Sequence, residues 1–238
     1  MSVFNYIVVI LFFLVLSCSS LAQEGRVVYF QDFGCNDVDS PIISTLPIKE
    51  CQLPQVLLDG SFSGSYAVRK RAFVNNNRHG ESQWYAQIDH THPEHPDVGC
   101  FLQVDGSLDH QIFYTFVIAD VPNGAQLEIS LWTVNLYTAY QKENFQKTNW
   151  PIDDPDLDLI IFDAAEKELA RYRIGPLLPD STLTAPTDFV HSARWQNHTF
   201  DFRLTTTTPY LIFAIGNRTV SSPGNDFGID DIVVKTQK

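Results

Sequence analysis

The 238-residue chain carries 28 acidic and 16 basic residues, a formal net charge of −12, and 44% of its residues are hydrophobic. That balance excludes nucleic acid and anionic membrane surfaces as partners, because both require a basic face. It remains compatible with Ca²⁺ and with neutral glycans.

Residues 4–16 are apolar apart from Asn5, and Ser20-Leu21-Ala22 before Gln23 has the small-x-small pattern of a signal-peptidase site. The run is shorter than the ~20 residues that span a bilayer, and no later stretch approaches that length. Residues 1–22 are therefore expected to be a secretory signal, and 23–238 a single secreted or cell-surface domain without a membrane span. Val15-Leu16-Ser17-Cys18 is also a degenerate lipoprotein site, in which Cys18 would carry the anchor; the bulky Leu16 disfavours it.

Strand signals follow in order at Arg26 to Phe30, Ser65 to Phe73, Gln83 to Ile88, Cys100 to Val104, Gln111 to Ile118, Ala125 to Leu136, Leu157 to Phe162, Leu169 to Ile174, His198 to Leu204, Tyr210 to Ile215 and Phe227 to Val234. Turn clusters separate them, among them Asp105-Gly106-Ser107 and Pro122-Asn123-Gly124. About ten short strands at this spacing predict an all-β, two-sheet antiparallel sandwich. Leu127, Ile129 and Leu131 alternate with Glu128, Ser130 and Trp132, and Asp156 and Asp158 alternate with Leu157 and Leu159, as half-buried strands require. Asn36 to Leu58 and Tyr137 to Asp156 are expected to be long loops. Ala164-Ala165-Glu166-Lys167-Glu168 is too short for a stable helix and is expected to be a hairpin turn.

Three cysteines follow the leader. Joining Cys35 to Cys51 would close a loop of about 17 residues, worth roughly 3 kcal/mol in the chain-entropy model, and would leave Cys100 as a buried thiol. Pairing Cys100 with Cys35 or Cys51 is the alternative.

Phe30-Gln31-Asp32-Phe33-Gly34, Leu58-Asp59-Gly60-Ser61, Asp89-His90-Thr91, Trp132-Thr133-Val134-Asn135 and Gly224-Asn225-Asp226-Phe227-Gly228-Ile229-Asp230-Asp231-Ile232 occur in that order. Together they resemble secreted bacterial jelly-roll modules related to galactose-binding-like and MAM-type domains. The resemblance implies paired first and last strands, a jelly-roll sandwich and a structural calcium ion. It places the calcium ligands at Asp32 and Asp231, with Asp89 and Asp230 as additions. Gly34 departs from relatives that carry glutamate there.

His90-Thr91-His92-Pro93-Glu94-His95 has the spacing of the metallo-β-lactamase HxHxDH motif, with glutamate in the aspartate place. That fold alternates strands with helices, which this sequence does not supply, and Pro93 and Pro96 favour an extended loop. A zinc-dependent hydrolase built on His90, His92 and His95 is thus the alternative reading. No Gly-x-Ser-x-Gly elbow supports nucleophilic catalysis. The acidic run Asp153, Asp154, Asp156 and Asp158 reads as a solvated loop entering a strand.

Sugar recognition uses aromatic faces flanked by amides and carboxylates. Candidates for ligand binding are Trp84, Tyr85, Trp132, Asn135 and Trp150. Asn197-His198-Thr199 and Asn217-Arg218-Thr219 are acceptor sequons, relevant where the host glycosylates secreted proteins. The expected function is a non-catalytic binding or adhesion module for a glycan or a surface protein. The further alternative is an oligomeric structural subunit of an extracellular assembly.

Overall fold

The structure is a computed structural model that describes residues 25–34, 65–69, 72, 84, 86–94, 99–106, 110–147, 152–185, 191–219 and 224–237. The leader, Cys18, Cys35, Cys51, Tyr85, His95 and Trp150 lie outside these residues.

Ten strands and one helix occur among the described residues: β1 (Arg26–Gln31), β2 (Ser65–Arg69), β3 (Phe101–Asp105), β4 (Gln111–Ala119), β5 (Gln126–Asn135), α1 (Ala139–Lys147), β6 (Leu157–Phe162), β7 (Glu168–Arg173), β8 (Gln196–Arg203), β9 (Tyr210–Asn217) and β10 (Phe227–Gln237). They form two antiparallel sheets, as the alternating pattern predicts. The larger runs β2-β3-β10-β5-β8, with β1 also on β10, and the smaller runs β4-β9-β6-β7.

The core lies between the sheets. Leu127, Ile129 and Leu131 of β5 and Phe227, Ile229, Ile232 and Val234 of β10 face Phe116 of β4, Leu157, Leu159 and Ile161 of β6 and Leu211, Phe213 and Ile215 of β9. Tyr29 stacks on Phe116 with centroids 4.0 Å apart, and Phe116 on Phe213 at 4.8 Å. The Tyr29 and Tyr114 hydroxyls meet at 2.8 Å, which satisfies both phenols between the sheets.

First and last strands do pair, with Arg26↔Thr236 at one end and Gln31↔Ile232 at the other. β10 shares one flank between two partners: Phe227–Ile229 pair with β3, whereas β1 takes Ile232 onward. On the opposite flank, Asp230↔Trp132 is followed by Val233↔Ser130. Three steps on β10 thus match two on β5, the signature of a β-bulge. Asp231 absorbs the extra residue at φ +46°, a left-handed conformation uncommon for a non-glycine residue.

A second apolar cluster covers one end of the large sheet's outer face, with Trp84, Phe101, Val134, Leu136, Tyr137 and Ile152 at its centre. Part of the expected 137–156 loop is helical. Thr138 and Gln141 form a capping box: Gln141 N donates to Thr138 Oγ1 at 2.9 Å, and Thr138 N donates to Gln141 Oε1 at 3.0 Å. Lys142 of the helix also pairs with Asp154. The 163–167 segment is the expected hairpin turn, with Asp163 Oδ1 accepting from Ala165 N and Lys167 N. The thiol expected at Cys100 is corrected: the residue is fully buried and disulfide-bonded, to a cysteine outside the described residues.

Candidate functional site

β6 alternates strictly. Leu157, Leu159 and Ile161 enter the core, so Asp158, Ile160 and Phe162 point out from the small sheet. In register beside them on β7 stand Arg173, Arg171 and Glu168, and on β9 Gly216 faces Asp158. The result is a groove of about 510 Å³ on the outer face of this sheet, walled at its far side by His110, Gln111 and Ile112 and closed at one end by Asn217 and Arg218. Ile112, Ile160 and Ala214, with Phe162 against them, give an apolar floor.

The polar groups of the groove are arranged as a ladder of opposite charges. Arg171 donates through Nε and Nη2 to Glu168 at 3.1 and 2.7 Å, and through Nη1 to Asp158 Oδ2 at 2.8 Å. Hydrogen bonding to Glu168, then to Asp158, holds the guanidinium above its ordinary range, and Arg171 in turn lowers Glu168. Arg173 grips Asp156 through two bonds of 3.0 and 2.8 Å. Two acceptors in the lining lack hydrogen-bond partners although both are buried: Gln111 Oε1 and Asp158 Oδ1. Arg218 Nη1 approaches Asp158 Oδ1 to 3.5 Å, an ion-pair distance without hydrogen-bond geometry.

Asp158 is thus 2% exposed, which corrects its reading as a solvated residue. The signal for this groove was present as Asp158-Leu159-Ile160-Ile161-Phe162. Its outward stripe mixes acid, aliphatic and aromatic side chains. Glu168 and Arg171 join it through the β6–β7 hairpin, 6 to 15 residues away, whereas Gln111 and Arg218 are brought in by β9, whose pairing across 50 to 106 residues no local pattern encodes.

A second cluster sits over the β10 bulge on the large sheet. The 89–92 segment is strapped there by carboxylates: His90 N donates to Asp230 Oδ2 at 2.9 Å, Thr91 Oγ1 donates to Asp231 Oδ1 at 2.8 Å, and His90 Nδ1 lies 2.7 Å from Asp231 Oδ2. The His90 ring stacks on Trp132 with centroids 3.8 Å apart. Asp89 Oδ2 accepts from His92 N at 2.7 Å and meets His92 Nδ1 at 2.9 Å. Asp89 and Asp230 are fully buried, and their carboxyl groups are in hydrogen-bond contact; burial first, then that contact, pushes Asp230 far above the carboxylate range.

These carboxylates do not fit a calcium ion in this arrangement. Both oxygens of Asp230 and of Asp231 accept protein donors, as does Asp89 Oδ2. Asp32 turns back on Gly34 N at 3.0 Å. Among the described residues no group of three or more acidic, histidine or cysteine side chains could hold a metal ion. His90 and His92 direct Nδ1 at different carboxylates rather than at one point.

Of the aromatic candidates, Trp132 is half-exposed beside this strap. Trp84 is corrected: it is 1% exposed, and its Nε1 donates to Asp226 Oδ2 at 3.0 Å. Asn135 is corrected as well. It is buried, donating Nδ2 to Leu177 O at 2.7 Å and accepting from Tyr137 N at 2.8 Å, a structural clamp beneath the 152–185 segment. Trp84 belongs to the second apolar cluster, whereas Asn135 shares the inward face of β5 with Leu127, Ile129 and Leu131, opposite Phe227.

Compared with known proteins, the sequence matches no family profile and no curated protein. Among solved structures it is similar to the CBM22-1 xylan-binding domain of Paenibacillus barcinonensis Xyn10C, at 9% identity and a TM-score of 0.40, over 90% of this chain and 96% of that one. A carbohydrate-binding module of type CBM4 matches at 13% identity and 0.34, over 58% of this chain and 70% of that one. The enzymatically active domain of tailspike protein 4 from bacteriophage CBA120 matches at 12% identity and 0.35, over 58% of this chain; the chain spans 15% of that domain's length.

Proposed function

We propose that the protein is a non-catalytic carbohydrate-binding module whose ligand lies in the groove across β4, β9, β6 and β7. The observation that carries this reading is one open groove in which an apolar floor of Ile112, Ile160 and Phe162 is flanked by the charged and amide side chains of Gln111, Glu168, Arg171 and Arg218. A pyranose presents the complement: a C–H face for Ile160 and Phe162, and hydroxyls for the polar walls. Arg171 and Glu168 are already locked to each other and to Asp158, so the walls are set before any ligand arrives, which lowers the ordering cost of binding.

The groove supports binding better than catalysis. Its carboxylates, Asp158 and Glu168, are both bonded to one guanidinium, which disfavours a proton-donating acid opposite a free nucleophile as glycoside hydrolysis requires. We read the apolar N-terminus as a leader, so the module acts outside the cell.

The test is retention on a panel of immobilised polysaccharides, with release of reducing ends followed in parallel. Retention of the parent protein and at least about tenfold weaker retention of Phe162→Ala are expected. No retention on any polymer, or equal retention of the variant, would overturn the groove as the site. Sustained release of reducing ends would make the protein an enzyme.

A further inference from the structure

We propose that Gly216 decides what the groove admits: the ligand occupies the space that a side chain at this position would fill. The inference rests on the glycan reading of the same groove.

Position 216 faces outward by strand alternation, since Leu211, Phe213 and Ile215 of β9 enter the core. Its partners across the sheet are Ile112 on β4 and Asp158 on β6, and all three line the groove. The outward face of β9 shrinks towards this end, from Ile212 through Ala214 to Gly216. A glycine inside a strand costs backbone entropy on folding and packs nothing, and it commonly marks a bulge or a place where another backbone or a ligand comes close.

The fold does not require this glycine. Every other described glycine either has a left-handed backbone or would bring a Cβ within 3.1 Å of a neighbour. At Gly228 of β10 the chain itself takes the space, with Val134 Cγ1 2.9 Å and Phe101 Cδ2 3.0 Å from the Cβ position. Gly216 meets neither condition. Its φ is not left-handed, and the nearest atoms to its Cβ position are Gln111 O at 3.3 Å and Ile112 Cγ1 at 3.7 Å, which a small shift accommodates. A bulge does lie opposite, where β4 shifts register between Ile112 and Tyr114. The extra residue belongs to β4, so it places no demand for a special backbone conformation on β9. What remains is the groove, in which a side chain at 216 would stand beside Ile112.

Phe162 is four residues along β6 from Asp158, the partner of Gly216, a distance of roughly 13 Å. Gly216 and Phe162 thus address separate parts of the groove, and substitutions at the two are independent probes.

The test uses a polysaccharide that retains the parent protein, and soluble oligosaccharides made from it, with affinity measured by calorimetry and folding by thermal midpoint. Gly216→Ala is expected to keep or raise the midpoint, because alanine at a compatible φ restricts the unfolded chain, while weakening binding several-fold. Gly216→Val, whose side chain suits a strand, should weaken binding about tenfold or more. If Gly216→Val does not fold, Gly216→Ala decides by the same two readouts. Affinity equal to the parent's in the folded variants would overturn the role of Gly216 and leave the glycan reading standing. A clearly lowered midpoint in Gly216→Ala would do the same, by showing that the glycine serves the β4 bulge. A parent protein retained on no polysaccharide would overturn the glycan reading itself.

Discussion

Arg171 on β7 donates from Nη1 to Asp158 Oδ2 on β6 at 2.8 Å, while Oδ1 of that carboxylate lies in the groove lining without a hydrogen bond. Both halves of the carboxylate thus belong to the fold, Oδ2 through this hydrogen bond and Oδ1 through the Arg218 guanidinium at 3.5 Å. Arg171→Met removes the hydrogen-bonded cation and strands a buried charge. Because the guanidinium is 45% exposed, the expected loss is about 2 kcal/mol, below the range for a fully buried pair. Urea unfolding should show a lower midpoint, and Asp158→Asn in the same chain should recover part of it.

Asp230 gives the strap over the bulge a pH dependence of definite sign. Folding raises its pKa by burial and by contact with Asp89, so the native state holds this proton more tightly than the unfolded chain. The contribution is fully present below about pH 4 and is lost as pH rises towards the folded value. The groups around it are Asp89, Asp231, His90 and His92. Asp230→Asn mimics the protonated acid, so its thermal midpoint should exceed the parent's increasingly from about pH 5 to pH 9. A parallel pair of profiles would show that Asp230 is ionised in the native state.

The same hydrogen-bond assignments bear on calcium. With the oxygens of Asp230 and Asp231 occupied by donors from the chain, added calcium or chelator is expected to leave the thermal midpoint in place. A rise with calcium that is lost in Asp231→Asn would show that the strap rearranges around an ion.

Gly99 adopts φ +81°, and a Cβ there would run into the Asp89 carboxylate and crowd His92 Nδ1. Gly99→Ala combines backbone strain with displacement of a buried carboxyl, for an expected cost of about 2–3 kcal/mol. Denaturant titration measures it. Gly124, also at positive φ, has open space around its Cβ position, so Gly124→Ala should cost only the conformational part, about 1 kcal/mol.

Thr138→Ala removes the hydroxyl that accepts from Gln141 N at the start of α1. The expected loss is about 1 kcal/mol, with ligand retention unchanged because the helix lies on the other sheet's side of the molecule. Hydrogen exchange should show faster opening confined to 139–147.

The two-sheet architecture was legible because strand alternation depends only on which side chains shun water, and β5, β6 and β10 state it plainly. Helix α1 escaped a reading based on apolar periodicity because its face is mostly polar, although Thr138 and Gln141 spell its cap. Trp84 read as exposed because the apolar cluster that buries it over the large sheet leaves no local pattern, and Asn135 because it is polar, although it follows Leu131 by four residues and so lies on the inward face of β5. Tyr85 and Trp150 fall outside the described residues. Asp89, Asp230 and Asp231 were read together, and the structure does bring them together, as a hydrogen-bonded strap.

By itself the sequence determined most of the strands, their inward and outward faces and the acidic character that turns away anionic partners. Those properties follow from local composition and a period of two residues. Tertiary structure alone decided that Gln111, Asp158, Phe162, Glu168 and Arg171 share one groove and that Arg171 and Arg218 both approach a buried Asp158. Sheet register joins residues far apart in the chain, and whether a buried polar atom is satisfied depends on every neighbour that register supplies.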